Sequence, residues 1–383
     1  MKILLCGGGT GGHITPILAI AHEIKKLSFG TEVSYIGERG GKFSDLVYKH
    51  SDVDKVFKVS AGKLRRYHKQ SWLDRFFDFK TNLLNIRDIF KVISGFFESL
   101  LILIKHRPDI ILLKGGYVGL PVGFAAKLLK IPYITHDSDA KASLTNSLVG
   151  RWAIHNATGS SPEFYKYNTS KMIRVGVPVS SNYKFVKQTD KDKYRKTLNI
   201  PLDARVILIT GGSLGAEEVN KAFVSIYDKL LIRYQKIYIV HQAGKGKTTA
   251  YNAVKVDNNK TIIKEFINDM YQYSAAADLV ITRGSATALA ELEVQAKPVI
   301  VIPNPHLTAG HQIINGKEIL KNNAGLVLSE KDLIQNPEIL LISISKILDD
   351  NKFSQTMSDN LHKMAVMDAS EQMAKILLGK YSV

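Results

Sequence analysis

Cysteine is nearly absent: the 383 residues contain one, Cys6, inside the apolar run Ile3-Leu4-Leu5-Cys6. That excludes an internal disulfide, and a thiol in such a run reads as a small buried hydrophobe rather than a reactive nucleophile. A reducing cytoplasm is the expected compartment. Long hydrophobic runs are missing too. The first apolar stretch meets Gly7-Gly8-Gly9 after a few residues, too short for a signal-peptide core, and no run approaches transmembrane length. A soluble protein, or one peripheral to a membrane, is expected. Acidic residues are in deficit, 35 Asp and Glu against 52 Lys and Arg, for a formal net charge of +17. The excess speaks of partners: nucleic acid, an anionic membrane surface or phosphorylated substrates. Helix-turn-helix, RNA-recognition and zinc patterns are lacking, so nucleic acid is not an expected partner.

What is present is ample apolar content, 45%, in a chain longer than one core usually serves, so two domains are expected. Strand-like runs at Lys2 to Leu5, Ile110 to Leu113, Tyr133 to Thr135, Val206 to Thr210, Ile237 to Val240, Leu279 to Thr282 and Val299 to Ile302 alternate with helical patterns. That alternation predicts an α/β protein with parallel sheets covered on both faces. Two strands end in similar turns, Gly7-Gly8-Gly9-Thr10-Gly11-Gly12 and Gly211-Gly212-Ser213-Leu214-Gly215-Ala216, about half the chain apart. Each half thus opens with its own phosphate-type loop, as two Rossmann-like domains facing across a cleft would. The polar stretch from Ser160 to Asn199, broken by Val177-Pro178, holds the join. The expected division is residues 1–165, 166–360 and a C-terminal helix in 361–383 that packs back on the first domain.

Residues 62–107 interleave Arg65, Arg66, Lys69, Arg75, Lys80, Arg87 and Lys91 with Tyr67, Trp72, Phe76, Phe77, Phe79, Phe90, Phe96 and Phe97. Basic residues beside aromatics suit a segment lying on an anionic membrane. From Phe90 to Ile104 the apolar spacing is helical, and there an amphipathic helix filling the core is the competing reading.

Of the motifs, the loop Gly7 to Gly12 precedes the helix-like Pro16 to Lys26, so backbone amides at a helix N-terminus can face an anion or a sugar hydroxyl. His13 follows the glycines directly, and an imidazole, with an ordinary pKa near 6.5, can serve there as a general base. Asp137-Ser138-Asp139 imitates a metal-binding Asp-x-Asp, but the triplet follows a strand at the sheet's carboxyl end, where hydrogen bonding to an acceptor explains it without a metal. Lys245-Gly246-Lys247-Thr248-Thr249 echoes the end of a P-loop without its upstream glycine and reads as an ordinary loop.

Together, Gly8-Gly9-Thr10-Gly11-Gly12-His13, Gly115-Gly116-Tyr117-Val118 with Pro121, and His136-Asp137-Ser138-Asp139-Ala140 with Leu144-Thr145-Asn146 resemble the three loops of the MurG-type glycosyltransferases, family 28. The match continues through Gly211 to Ala216, Phe266-Ile267, Arg283-Gly284-Ser285-Ala286-Thr287, Glu291, Pro298, Pro303, His311-Gln312 and Asn315. The resemblance covers nearly the whole chain, in order. It implies a GT-B architecture and inverting transfer of N-acetylglucosamine from UDP-N-acetylglucosamine to lipid I, giving lipid II, with no cofactor and no metal. Carried over, it implies that Phe266 and Ile267 meet the uracil, the latter through its backbone, and that Glu291 binds the ribose. Ser213 with the amides of Ala286, Thr287 and Ala288 would hold the diphosphate, Gln312 and His311 the sugar. Thr10, Gly11 and Gly12 complete the donor set. Gly9, Gly116, Tyr117, His136 and Asn146 would face the acceptor, with His13 as base and Asp139 as the alternative. The sequence departs from the pattern at Gly176-Val177-Pro178-Val179-Ser180, where Ser180 replaces an arginine expected near the donor phosphates. A related transferase with another lipid acceptor, or a non-enzymatic nucleic-acid-binding protein that the net charge of +17 and the basic aromatic segment would permit, is the alternative; a sugar-nucleotide epimerase or sensor is less consistent with His13 beside an intact loop.

Overall fold

The structure is a computed structural model that describes residues 1–9, 11–41, 44–63, 78–212, 215–306 and 310–380. Two compact units divide the chain, Met1–Ser180 with Asp368–Val383, and Ser181–Met367.

In the first unit β1 (Lys2–Cys6), β2 (Glu32–Glu38), β3 (Lys55–Val59), β4 (Ile110–Leu113), β5 (Tyr133–Asp137), β6 (His155–Thr158) and β7 (Met172–Arg174) form a parallel sheet. Their order is β3-β2-β1-β4-β5-β6-β7. The central strands are apolar at nearly every position because helices cover both faces. Successive side chains of β1 point opposite ways: Ile3 and Leu5 pack with Ile17 and Ile20 of α1 (Gly11–Leu27). Leu4 and Cys6 pack on the other face with Leu103, Val118 and Val122. Cys6 is fully buried and its thiol pKa is pushed up by that burial, the state of a small hydrophobe. The remaining helices before the linker are α2 (Ser44–Tyr48), α3 (Phe79–His106), α4 (Gly119–Leu128) and α5 (Leu144–Val149). The order of connection reverses between β1 and β4, and in open α/β sheets ligands bind outside the carboxyl ends of strands at that switch.

Helix α3 starts at Asp78, whose carboxylate accepts from the Thr81 amide, and stops at Arg107, left-handed at φ 52°. Its aromatics divide between the two readings of this segment. Phe96 packs against the core around Leu103, whereas Phe90 and Phe97 are 67% and 58% exposed. Leu83, Ile86, Ile93, Leu101 and Ile104 are exposed with them, and their three- and four-residue spacing draws one apolar stripe along the helix. Residues 64–77, which hold Arg65, Arg66, Lys69 and Arg75, lie outside the described residues.

The second unit carries β8 (Arg205–Thr210), β9 (Ile237–Gln242), β10 (Thr261–Lys264), β11 (Leu279–Thr282), β12 (Val299–Val301) and β13 (Leu326–Val327), parallel in the order β10-β9-β8-β11-β12-β13. Its switch lies between β8 and β11. The helices are α6 (Gln188–Thr197), α7 (Glu217–Arg233), α8 (Met270–Ala276), α9 (Ala286–Gln295), α10 (His311–Lys321), α11 (Glu330–Gln335), α12 (Glu338–Asp349) and α13 (Asn351–Met364). Ile207 and Ile209 pack with α7 and α12, Val206 and Leu208 with α8, α9 and α10. The last helix, α14 (Ala369–Leu377), belongs to the first unit: Met373, Ala374 and Leu377 share a core with α1. Among the described residues no helix is long and apolar enough to cross a membrane.

Candidate active site

In the first unit three loops meet at the carboxyl edge of the sheet. Gly116, at φ 75°, occupies a conformation and a space that only glycine fits: a Cβ there would lie 2.9 Å from the Gly8 carbonyl. The loop after β4 is thereby locked against the loop after β1, with the Tyr117 ring beside Gly9. The loop after β5 closes the group. Asp137 Oδ1 accepts from the Ser143 amide at 2.9 Å and Oδ2 from the Tyr167 hydroxyl at 2.5 Å, so its carboxylate is occupied in shaping this loop. Asn146 donates to the His136 carbonyl at 3.1 Å, and His136 Nε2 lies 2.9 Å from the Gly176 carbonyl. His136 and Asn146 are both fully buried. The structure therefore puts these two behind the three loops, while Gly9, Gly116 and Tyr117 belong to the loops themselves.

His13 stands in the first turn of α1, because the helix begins at Gly11 rather than at Pro16, and it is half-buried. Gly11 and Gly12 share that turn; Thr10 lies outside the described residues. Asp139 is half-buried after β5, and its carbonyl accepts from the Tyr165 hydroxyl at 2.7 Å. With β4 between β1 and β5 in the sheet, the backbones carrying His13 and Asp139 are separated by two strand spacings, roughly 10 Å.

Two charged residues absent from the sequence-based set are drawn into this edge. Lys114, 2% exposed, donates to Ser138 Oγ at 2.5 Å. Burial pushes its pKa down to about 8, with Asp137 and Asp139 pulling the other way. A lysine closing the apolar strand Ile110–Leu113, directly before Gly115-Gly116, was the available signal. Glu38, at the end of β2, accepts from the Gly9 amide, and burial holds its carboxyl above the ordinary range. The glycine loop thus already carries an internal carboxylate on one of its amides.

In the second unit Gly215, at φ 67°, passes so close to the next loop that a Cβ would lie 2.2 Å from the Ala243 carbonyl. Lys247 Nζ also donates to the Gly215 carbonyl, at 3.2 Å, so the segment echoing a P-loop buttresses the glycine loop instead. Ser213 lies outside the described residues. Gln242, buried at the end of β9, ties two subsites together: its Nε2 donates to the Gly212 carbonyl at 3.0 Å and its Oε1 accepts from the Ile267 amide at 2.8 Å. The Ile267 N–H is thus engaged within the protein. Phe266 beside it is 42% exposed.

Helix α9 follows β11 and starts with Ser285 as N-cap, whose side chain makes no capping bond. The amides of Ala286, Thr287 and Ala288 therefore form a helix N-terminus suited to an anion. Glu291, one turn on, is only partly accessible. Burial pushes its pKa up to about 7, while a hydrogen bond from the Tyr183 hydroxyl works against that rise. Asn315 donates to the Gly284 carbonyl at 2.9 Å, and Gln312 Oε1 accepts from the Asn304 amide at 2.9 Å. His311 is half-buried beside it in the first turn of α10. Arg283 is turned inward to Glu330 at 3.1 and 3.2 Å.

Known proteins match this chain along its length. The glycosyltransferase family 28 N-terminal domain matches residues 3–157 and the family 28 C-terminal domain residues 206–373. A UDP-N-acetylglucosamine–N-acetylmuramyl-(pentapeptide) pyrophosphoryl-undecaprenol N-acetylglucosamine transferase of Bacillus cereus is 31% identical over 378 residues, 98% of each chain. The same-named enzyme of Acetivibrio thermocellus is 32% identical over 387 residues, covering 98% of this chain and 97% of that one. Among solved structures, Acinetobacter baumannii MurG superposes with a TM-score of 0.72 at 22% identity over 99% of both chains. A putative UDP-N-acetylglucosamine 2-epimerase from Listeria monocytogenes gives 0.69 at 12% identity over 100% and 97%. At those identities the likeness to the two structures is one of fold, the GT-B architecture of two α/β domains.

Proposed function

The chain belongs to glycosyltransferase family 28, and from that premise we propose how its residues carry out the transfer. The protein is a UDP-N-acetylglucosamine-dependent hexosyltransferase that glycosylates lipid I to lipid II in peptidoglycan synthesis. One observation carries this conclusion: 31% identity to such an enzyme sustained over 98% of both chains.

In our reading the second unit holds the donor. Phe266 and the Ile267 carbonyl meet the uracil, Glu291 accepts from the ribose hydroxyls, and the amides of Ala286, Thr287 and Ala288 with Ser213 take the diphosphate. Gln312, through the amide nitrogen left by its bond to Asn304, and His311 reach the sugar. The first unit holds the acceptor on the loops of Gly9, Gly116 and Tyr117. His13 removes the proton of the muramyl C4 hydroxyl as its oxygen bonds to the anomeric carbon of N-acetylglucosamine. The bond from that carbon to UDP breaks with its electron pair, the configuration inverts, and UDP departs with its charge at the positive end of α9. Purified protein given labelled UDP-N-acetylglucosamine and lipid I is expected to yield labelled lipid II, with UDP released only when the acceptor is present. Acceptor-independent UDP release would overturn the reading.

This scheme assigns the leaving charge to helix amides, so calorimetric binding of UDP is expected to persist in chelator. Loss of binding there, restored by Mg²⁺, would return Asp139 to the role of metal ligand. Glu291→Ala is expected to weaken UDP by about 1–3 kcal/mol, the loss when hydroxyls forfeit a charged partner. The sign of the pH effect follows from the raised pKa. Ribose binding favours the carboxylate, so below about 7 the group must first lose a proton, and affinity is expected to rise as pH is raised through that value.

We further propose that the enzyme is peripheral on the inner face of the cell membrane, held by α3. Arg87, Lys91 and Lys105 are exposed on the helix that carries the apolar stripe. Each basic group near an anionic leaflet contributes about 1 kcal/mol and each inserted apolar side chain adds to it. Phe90→Ser with Phe97→Ser is expected to lower binding to anionic vesicles by at least tenfold, an order-of-magnitude figure from the apolar area withdrawn. Unchanged sedimentation with vesicles would move the membrane contact elsewhere.

A further inference from the structure

Glu291 does not meet the ribose unaided. Its carboxyl accepts from the Tyr183 hydroxyl, a residue of the polar stretch between Ser181 and α6, distant from Glu291 in sequence. Tyr183 is in turn fixed from behind. Its ring meets that of Tyr271 edge-on, with centroids 6.2 Å apart at 70°, and Tyr271 takes Tyr194 of α6 the same way, at 6.2 Å and 85°. Such edge-to-face pairs hold a ring in one orientation. Tyr271 is also pinned to the helix that carries Glu291: Gln295 Nε2 donates to its carbonyl at 2.9 Å. Glu291 and Gln295 are four residues apart in α9 and lie on one face. Two bonds from that face therefore meet two tyrosines packed edge to face, one at the Tyr183 hydroxyl and one at the Tyr271 backbone.

We propose that Tyr183 is a positioning residue for the donor ribose, its hydroxyl holding the Glu291 carboxylate in the orientation that accepts the 2′- and 3′-hydroxyls. The inference rests on the reading of Glu291 as the ribose acceptor. A carboxylate has lone pairs for about four hydrogen bonds. One bond to Tyr183 leaves ample capacity for two sugar hydroxyls and removes the rotational freedom that binding would otherwise have to freeze out. The phenol also stabilises the ionised carboxylate that the sugar requires.

The test compares UDP with 2′-deoxy-UDP on the full chain by calorimetry, in wild type, Tyr183→Phe, Glu291→Gln and the double variant. Phenylalanine retains the ring that packs on Tyr271, and a thermal melt checks that the fold is kept. Wild type is expected to prefer UDP by about tenfold or more, the worth of a hydrogen bond to a charged group. Tyr183→Phe is expected to shrink that preference severalfold, weakening 2′-deoxy-UDP, which keeps the 3′-hydroxyl, by less than it weakens UDP, and the double variant should discriminate no less than Glu291→Gln alone. If Glu291→Gln erases the preference and Tyr183→Phe leaves it intact, or weakens both ligands equally, the positioning role is overturned and the ribose assignment stands. If Glu291→Gln itself leaves the preference intact, the ribose assignment fails and the role of Tyr183 with it.

Discussion

His13→Ala is expected to lower turnover by about a hundredfold or more, the usual worth of a positioned general base, and to leave UDP affinity unchanged. The two halves of this expectation come from different parts of the molecule. The imidazole stands in the first turn of α1, directly after the glycine loop that locks against Gly116 and Tyr117, in the unit that we propose binds the acceptor. Glu291, Phe266 and the α9 amides all belong to the other unit. A base acts on the acceptor hydroxyl as its proton leaves, so its removal is felt in the chemical step and not in donor binding. Single-turnover formation of lipid II, alongside UDP calorimetry, separates the two. Asp139→Asn is the companion variant. Should it abolish turnover while His13→Ala retains it, the proton goes to Asp139 and His13 anchors the acceptor.

The central strands could be read from sequence because they are buried on both faces. Leu4, Ile111, Ile207 and Ile281 sit in short apolar runs, which their length and flanking turn residues identify as strands. The strands that escaped notice are those whose polar residues are satisfied by partners remote in sequence. In β6, His155-Asn156-Ala157-Thr158 shows no apolar run, yet Asn156 is buried because Thr135 of β5 donates to its side chain at 2.7 Å. The edge strand β3 alternates Lys55 and Lys58 with Val56, Phe57 and Val59, too short a pattern to separate from a loop.

The same division governs the site. Glycine loops, His13 and Glu291 occupy recognisable offsets from strand ends. Lys114 and Glu38 also stand at strand ends, but their sequence neighbours do not show what the adjoining strand edges bring beside them. Gln242 is a further case: only the parallel register of β8, β9 and β10 sets it between Gly212 and Ile267, and the consequence, an Ile267 amide already in use, alters the bond available to the base.

Arg283→Met is expected to destabilise the protein by about 3–5 kcal/mol, the range for removing one partner of a buried ion pair. Arg283 leaves the end of β11 next to Gly284, in a motif that runs into the α9 N-terminus, and sequence alone would let its charge be assigned to the diphosphate. The structure turns it to Glu330 and the Ile302 carbonyl instead. Both terminal nitrogens meet Glu330, at 3.1 and 3.2 Å, and one also donates to the Ile302 carbonyl at 3.2 Å, with both charged side chains 8% exposed. Methionine fills similar space but leaves a carboxylate in a dry interior without its counter-charge, which is costlier than losing the pair as a whole. Arg283→Met with Glu330→Leu is therefore expected to recover most of the urea midpoint lost in the single variant, a non-additivity that direct contact requires. UDP affinity, measured well below the melting temperature, is expected to stay within a few-fold of wild type, because the guanidinium charge is engaged by Glu330. A large loss of UDP binding with an unchanged midpoint would reverse the assignment and give Arg283 the phosphate contact for which Ser180 has no charge.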